Sequence, residues 1–335
     1  MTFITLFNNK YNINLKLLDL SSNQLSILPD IGNLINLKKL DLTNNQLSIL
    51  PEDICNLINL QIVEILYNNF TICNLINLQI VEILYNNLSN LPEAIGNLIN
   101  LKKLDLSSNQ LSILPAAIGN LINLQELHLA CNQLSSLPEA IGNLINLQEL
   151  SLFGNQLSSL PAAIGNLINL QTLCLNNNQL ISLPTAISNL INLRILNLNH
   201  NQLSSLPEAI GNLINLQRLY LSDNKLTSLP ATIGNLINLQ VLILTNNQLS
   251  SLPVEILNIK EIINIDETSY KINNLDIECT ILIFSILSIN IGNLPINIKE
   301  IWLNHKIKDP NIKLPFGCEI KIYYSSVEIR SSVEN

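Results

Sequence analysis

Residues 124 to 146 read LQELHLACNQLSSLPEAIGNLIN, and this stretch decides the fold. It contains two hydrophobic periods in a fixed order. Leu127 and Leu129 alternate with other residues, as in a strand with one buried face. After Pro138, which we expect at the first helical position, apolar residues beginning with Ile141 recur at every third position. That spacing predicts a short helical or 3-10 segment. One strand and one short helix make the unit a single turn of a coil.

The same unit recurs along the chain, and from Leu78 onward its copies follow one another at a constant interval. No unit can bury its leucines alone, so neighbouring units must stack to form a continuous core. We therefore expect an α/β solenoid with a concave parallel sheet and the helical segments outside. The pattern L-x-x-L-x-L-x-x-N-x-L begins at Leu15, Leu37, Leu60, Leu78, Leu101, Leu124, Leu147, Leu170, Leu193, Leu216 and Leu239, with Val, Ile or Phe replacing some leucines.

Two polar or small positions of the unit have a predicted structural role. The asparagine of the motif is present in every copy, and its amide is expected to satisfy backbone groups buried where the chain turns inward after the strand. A shared glycine is expected to allow close packing of turns. The glycines at this position are Gly32, Gly96, Gly119, Gly142, Gly165, Gly211 and Gly234. No Lys-Ser or Lys-Thr follows them, so they do not form a phosphate-binding loop.

These residues resemble the leucine-rich repeat family. The 23-residue form with L-P-x-x-I-G-x-L-x-x-L is similar to the intracellular repeats of Ras-suppressor and Scribble-type scaffolds. The frequent Asn and Ile are similar to leucine-rich repeat proteins of amoebae and of giant DNA viruses. The resemblance implies a horseshoe with short helical or 3-10 segments on the convex side. It also implies a protein-binding surface without catalysis, and it names no partner.

Departures from the pattern set the expected boundaries. Residues 1–14 match the inner part of a degenerate N-terminal repeat, and residues 15–254 hold eleven repeats. The segments 54–69 and 72–87 are identical, so the unit at 60–77 is shortened and lacks the Leu-Pro segment. We expect a thin or kinked spot there.

The motif decays after Pro253. Ile262 and Ile265 keep the spacing of the first two leucines of the motif, but later residues match it less well. We expect residues 255–324 to be diverged repeats that close the core and residues 325–335 to be a flexible tail.

The residue between the paired leucines of each strand should face the concave surface. Five carboxylates open this row, where like charges one strand apart repel each other. Lys39 lies two positions from Asp41 on the same face, and Lys103 lies likewise near Asp105, so we expect the lysines to offset these aspartates. The full row is Asp19, Asp41, Glu64, Glu82, Asp105, His128, Ser151, Cys174, Asn197, Tyr220 and Ile243.

Glu64 and Glu82 are expected to lack such a counter-charge. Apolar and aromatic neighbours surround them, so the sequence predicts a binding centre for a basic or amphipathic protein partner. The predicted contact residues are Glu64, Glu82, Tyr67, Tyr85, Ile62, Ile80, Asp41 and Asp105. In the alternative interpretation, the carboxylates only keep the surface soluble, and the third and fourth repeats match because one is a recent copy of the other.

Composition and spacing exclude other function classes. The net charge of −8 and the pI near 4.9 argue against nucleic-acid binding, which needs clustered Lys and Arg. His128, His200 and His305 are far apart in the sequence. We therefore expect no metal site, no cofactor and no enzymatic activity.

Cysteine usage and apolar segments bear on the location. The six cysteines have no close pairs, so we expect free thiols in a reducing compartment. The segment 1–14 does not resemble a signal peptide. Residues 279–298 are uncharged, but Asn, Gly and Pro interrupt them, so we expect no membrane span. The expected location is cytoplasmic, which means the host cytoplasm if the gene is viral.

The predicted function is a non-enzymatic protein-protein interaction module that binds its partner on the concave face. One alternative is an adaptor that recruits substrates to a larger complex, such as a ubiquitin ligase, through the C-terminal region. Another is an expanding repeat gene without a specific partner. The oligomeric state stays open.

Overall fold

The computed structural model describes residues 3–6, 9–28, 30–47, 56–65, 77–249, 253, 255–256, 262–265, 281–284, 300–304 and 319–323. The chain divides into two compact units, residues 1–179 and 180–335, which are described separately.

A parallel sheet forms the inner layer of the first unit. Each strand pairs in register with the next. The central residue of each strand is buried, because it forms the core together with the central residues of the neighbouring strands. The first and third residues of each strand lie on the opposite face, here called the open face. The strands are β3 (Leu17–Asp19), β4 (Lys39–Asp41), β5 (Ile62–Glu64), β6 (Ile80–Glu82), β7 (Lys103–Asp105), β8 (Glu126–His128), β9 (Glu149–Ser151) and β10 (Thr172–Cys174).

Short 3-10 helices form the outer layer of this unit, at Glu93–Asn97, Ala116–Asn120, Glu139–Asn143 and Ala162–Asn166. Pro138 is the N-cap residue with φ −67°, so its helix begins one position later than predicted. Ile141 is buried beneath this helix. The close-packing role of the shared glycine is confirmed at Gly119, where a Cβ atom would lie 2.5 Å from the carbonyl oxygen of Ala140.

The predicted role of the motif asparagine is also confirmed. Asn132 is buried, and its Nδ2 donates to the carbonyl oxygens of Leu106 and Leu129 at 2.9 and 3.1 Å. Its Oδ1 accepts from the backbone N–H of Leu111 at 3.0 Å. One side chain therefore ties the turn of its own repeat to the repeat before it.

The shortened unit keeps the strand register. β5 pairs with β6, with Val63 opposite Val81, although the sequence between these strands lacks the Leu-Pro segment of the other units. The kink that the sequence predicted for residues 66–76 lies outside the described residues.

The N-terminal residues differ from the prediction of a degenerate repeat. β1 (Phe3–Leu6) and β2 (Asn9–Asn12) form an antiparallel hairpin in a sheet of its own. Only two residues separate these strands, and a parallel pair needs a crossover of about a dozen residues. Residues 3–6 and 9–12 therefore do not form one more turn of the coil.

The second unit repeats this architecture. Its 3-10 helices are Thr185–Asn189, Glu208–Asn212 and Ala231–Asn235. Its parallel strands are β11 (Ile195–Asn197), β12 (Arg218–Tyr220), β13 (Val241–Ile243), β14 (Ile262–Ile265), β15 (Ile281–Phe284), β16 (Glu300–Asn304) and β17 (Glu319–Tyr323).

Strands β14 to β17 lie in the region of diverged sequence, and each pairs in parallel with its neighbour. The predicted register was wrong at β14. Ile263, and not Ile265, pairs with Leu242 at the central strand position. The pattern of isoleucines at 262, 263 and 265 allows both alignments, and the backbone ladder selects one of them.

Candidate functional site

Four neighbouring strands, β4 to β7, place the predicted contact residues side by side on the open face. Parallel pairing puts Ile62 beside Ile80 and Glu64 beside Glu82. The outer two strands contribute a lysine and an aspartate each. We call this set the four-strand patch: Lys39, Asp41, Ile62, Glu64, Ile80, Glu82, Lys103 and Asp105.

The lysines pair with the glutamates and not with the aspartates. Lys39 Nζ lies 2.5 Å from Glu64 Oε1, and Lys103 Nζ lies 2.7 Å from Glu82 Oε1. The expectation that the two glutamates lack a counter-charge was therefore wrong. The lysine and glutamate side chains are both long, so they reach each other across the diagonal between neighbouring strands, which is about 7–8 Å. The hydrogen bond with its glutamate raises the pKa of each lysine.

The aspartates of the row serve the turn that follows each strand. Asp41 Oδ1 accepts from the backbone N–H of Thr43 at 2.9 Å, and Asp105 Oδ1 accepts from that of Ser107 at 3.0 Å. Asp19 Oδ1 likewise accepts from the backbone N–H of Ser21. Hydrogen bonds from the hydroxyl and the backbone N–H of Ser21 lower the pKa of Asp19. These carboxylates therefore have a local structural role that the sequence analysis did not assign.

Tyr85 follows Glu82 of the patch by three positions and has an uncommon backbone conformation. Its φ is 55°, and the residue is 51% exposed. The other described residues at this position in the first unit are small or polar, such as Asn44 and Gly154, which tolerate positive φ better. A bulky residue in this region costs about 1 kcal/mol, and such outliers cluster at functional sites. Tyr67, its predicted counterpart, lies outside the described residues.

A second cluster adjoins the patch and was missed at the sequence level. His128 Nδ1 lies 3.6 Å from Asp105 Oδ2, and its Nε2 lies 3.7 Å from Glu149 Oε1 and 4.0 Å from Glu126 Oε2. The Nε2 atom is buried and has no hydrogen-bond partner. The spacing of the three histidines says nothing of this cluster, but aligning the first and third residues of neighbouring strands places carboxylates next to His128.

Two other kinds of site are absent from the described part of the chain. It contains no group of three or more His, Cys, Asp or Glu side chains placed to hold a metal ion. Among the same residues, no helix has the length and apolar character needed to cross a membrane.

Comparison with known families decides the classification. A family model described as "Leucine-rich repeat region" matches residues 67–158 and 185–277, more than half of the chain. The chain belongs to the leucine-rich repeat family. A further leucine-rich repeat model matches residues 14–34, 36–57 and 169–190. Among curated proteins, no match to this leucine-rich repeat protein was found.

Solved structures confirm the leucine-rich repeat solenoid fold. The protein is similar to a leucine-rich repeat protein of Leptospira interrogans, at 30% identity and TM-score 0.50, covering 86% of this chain and 90% of that chain. It is also similar to a chain of the octameric complex of Latrophilin 3, Unc5D and FLRT2, in which FLRT2 contributes the leucine-rich repeats. That match has 26% identity and TM-score 0.63, and it covers 76% of this chain and 82% of that chain.

A third similar structure is the leucine-rich repeat ectodomain of the Arabidopsis thaliana receptor kinase GASSHO1/SCHENGEN3 in complex with CASPARIAN STRIP INTEGRITY FACTOR 2. The identity is 32% and the TM-score 0.51, and the match covers 77% of this chain but only 40% of that chain. The repeats of this receptor and of FLRT2 belong to protein complexes. Leucine-rich repeat proteins are in general non-enzymatic binding scaffolds.

Proposed function

We propose that this leucine-rich repeat protein is a non-enzymatic protein-interaction module and that the four-strand patch on its open face contacts the partner. The observation that carries the proposal is the arrangement at the centre of the patch. Ile62 and Ile80 lie side by side, and an ion pair flanks them on each side. An apolar centre with a polar rim is the usual anatomy of a protein interface.

The charges of the patch indicate the chemistry of the partner. The patch holds two lysines and four carboxylates, so it keeps an excess of negative charge after both ion pairs are counted. The side chain of Glu64 is 21% exposed and that of Glu82 is 26% exposed, so both can still accept a hydrogen bond from a partner. An amphipathic segment with an apolar residue over the isoleucines and Lys or Arg beside it fits this surface.

Exposed Tyr85 supports the same proposal. Its strained backbone would be relieved by Asn, the residue that holds this position in other repeats. An aromatic ring kept at this cost three positions after Glu82 of the patch is consistent with a contact residue.

We also propose a cytoplasmic location. Cys131 and Cys174 are free thiols, which is the usual state of cysteine in a reducing compartment.

Affinity capture with matched variants tests the function. Ile62→Thr with Ile80→Thr removes the apolar centre and keeps the β-branched shape that suits a strand. The control is Ile195→Thr, which changes the same strand position in β11. Binding of each captured protein is then measured with purified components. We expect the double variant to weaken binding at least tenfold and the control variant to leave it unchanged.

A second variant separates charge recognition from folding. The exchange Lys39→Glu with Glu64→Lys keeps an ion pair at this place but reverses its direction. We expect it to weaken binding without changing the melting temperature. Equal binding by all variants would contradict a site on the patch and would favour the adaptor role of residues 255–335. Failure to capture any protein would instead favour a repeat gene without a specific partner.

A further inference from the structure

The second unit carries a surface of different character on strands β11, β12 and β13. The central leucine of each strand is buried, and the first and third residues lie half-buried on the opposite face. Parallel pairing sets Arg218 between Ile195 and Val241. In the second row, Tyr220 lies beside Ile243. We call this set the arginine patch: Ile195, Asn197, Arg218, Tyr220, Val241 and Ile243.

The arginine of this patch lacks the counter-charge that the lysines of the first unit have. Lys39 and Lys103 hold the same strand position, and each reaches a glutamate at the third position of a neighbouring strand. The corresponding positions next to Arg218 hold Asn197 and Ile243, which are uncharged. Within the described part of the chain, no ion pair involves Arg218. Its charge is therefore available to a ligand.

The carboxylate that follows the patch in the sequence has other partners. Asp223 Oδ1 accepts from Asn246 Nδ2 at 2.8 Å, and its Oδ2 lies 3.5 Å from His200 Nδ1. The strands β11, β12 and β13 themselves contain no Asp or Glu. The arginine patch therefore has one positive charge and no negative charge, whereas the four-strand patch has an excess of negative charge.

An arginine between apolar side chains favours a carboxylate ligand. The guanidinium is planar and always charged, and its fork of N–H donors matches the two oxygens of a carboxylate. It is more weakly hydrated than the ammonium group of lysine, so a ligand covers it at a smaller cost. Apolar neighbours such as Ile195 and Val241 keep water away from a bound carboxylate, which strengthens the ion pair. A single cation on a chain of net charge −8 does not hold a polyanion such as a nucleic acid.

The remaining residues of the patch indicate that the carboxylate belongs to a protein. Tyrosine and arginine are enriched at the centres of protein interfaces, and Tyr220 and Arg218 lie on the same strand. Val241 and Ile243 offer apolar contacts on the next strand. We propose that the arginine patch is a second protein-binding surface, which takes an acidic segment with Asp or Glu next to large apolar side chains. The carboxylate binds Arg218, and the apolar side chains pack on Val241 and Ile243.

A display library of random peptides tests the proposal. The library is first depleted on the Arg218→Gln variant and then selected on the intact chain. The selected peptides should be enriched in Asp or Glu next to Leu, Ile, Phe or Trp. The tightest of them is synthesised with blocked termini and titrated with the intact chain and its variants. Arg218→Gln should weaken its binding at least about tenfold, and Val241→Thr with Ile243→Thr should weaken it as well.

The matched control is Arg194→Gln, which removes the same charge from an exposed position just before β11 and outside the patch. It should bind the peptide like the intact chain. Exchange of the charges should restore binding, so Arg218→Glu should bind the peptide in which the acidic residue is replaced by lysine. If Arg218→Gln melts at a lower temperature than the control, Arg218→Lys takes its place, because it keeps the charge and loses the fork.

Three results would overturn the proposal. They are a selection that yields no peptide, selected peptides without an excess of Asp or Glu, and equal weakening of binding by Arg194→Gln and Arg218→Gln. The variant Ile62→Thr with Ile80→Thr leaves the arginine patch intact and should bind the peptide like the intact chain. The outcome is therefore independent of the four-strand patch.

Discussion

Replacing the buried asparagine Asn132 by alanine tests the central element of the fold. Its Nδ2 donates to the carbonyl oxygens of Leu106, Leu129 and Ala130 at 2.9, 3.1 and 3.3 Å. Its Oδ1 accepts from the backbone N–H of Leu111 at 3.0 Å. Alanine removes all four interactions at a residue that is buried from bulk water.

The expected cost follows from which groups lose their partner. The carbonyl oxygen of Leu106 keeps a donor from Asn109, and that of Leu129 keeps one from Asn155. The N–H of buried Leu111 loses its acceptor, which costs about 1–3 kcal/mol, and each further lost bond costs about 0.5–1 kcal/mol. We expect the free energy of unfolding to fall by about 3 kcal/mol.

Two comparison variants sharpen this prediction. Asn146→Ala removes a single amide hydrogen bond at an exposed position, where water replaces it, so it should cost less than about 1 kcal/mol. Asn132→Asp keeps the acceptor but turns a carboxylate oxygen toward three carbonyl oxygens. It should cost more than alanine at neutral pH.

Urea unfolding followed by far-UV circular dichroism measures all three variants. The denaturant slope must stay unchanged for the comparison to report stability alone. The reasoning is refuted if Asn146→Ala costs as much as Asn132→Ala. It is also refuted if aspartate at position 132 is tolerated better than alanine.

Two further predictions concern charge and reactivity. A double-mutant cycle with Lys103→Met and Glu82→Gln should give a coupling of about 0.5–1 kcal/mol that weakens with added salt, because the pair is partly exposed. The pairing raises the pKa of Lys103, so the coupling energy should be present below about pH 10.4 and be lost as the pH rises through the pKa of Lys103 in the folded state. A coupling energy of zero at neutral pH would contradict an ion pair between Lys103 and Glu82. Burial raises the pKa of the Cys174 thiol to about 11, so at pH 8 iodoacetamide should label it about 200-fold more slowly than an ordinary thiol. Peptide mapping of the labelled chain checks this rate against exposed Cys131, and equal labelling of the two thiols would refute it.

The repeating features of this protein could be predicted from the sequence. Buried Leu127, the 3-10 helix after Pro138 and the role of Asn132 all follow from a pattern that recurs in the units of full length. When neighbouring units are alike, the residues that pack around a given position can be read from the sequence of a single unit. Hydrophobic period and spacing then determine the strand, the helix and the core.

Features that depend on contacts between unlike repeats could not be predicted in this way. Lys39 binds Glu64 on the next strand, while Asp41 on its own strand accepts from the N–H of Thr43, and the linear sequence shows neither contact. Two of the three carboxylates around His128 come from the strands on either side, Asp105 from β7 and Glu149 from β9.

Backbone pairing determined the direction of the N-terminal strands and the register of β14. An alternating apolar pattern suits a parallel and an antiparallel strand equally, so only the short connection between β1 and β2 decided for a hairpin. The isoleucines of β14 fit two registers, and the hydrogen-bonded ladder selected one. The sequence by itself determined the unit and its core, because these rest on local periods. The tertiary structure decided the charge pairs and the register, because these rest on distances between chain segments.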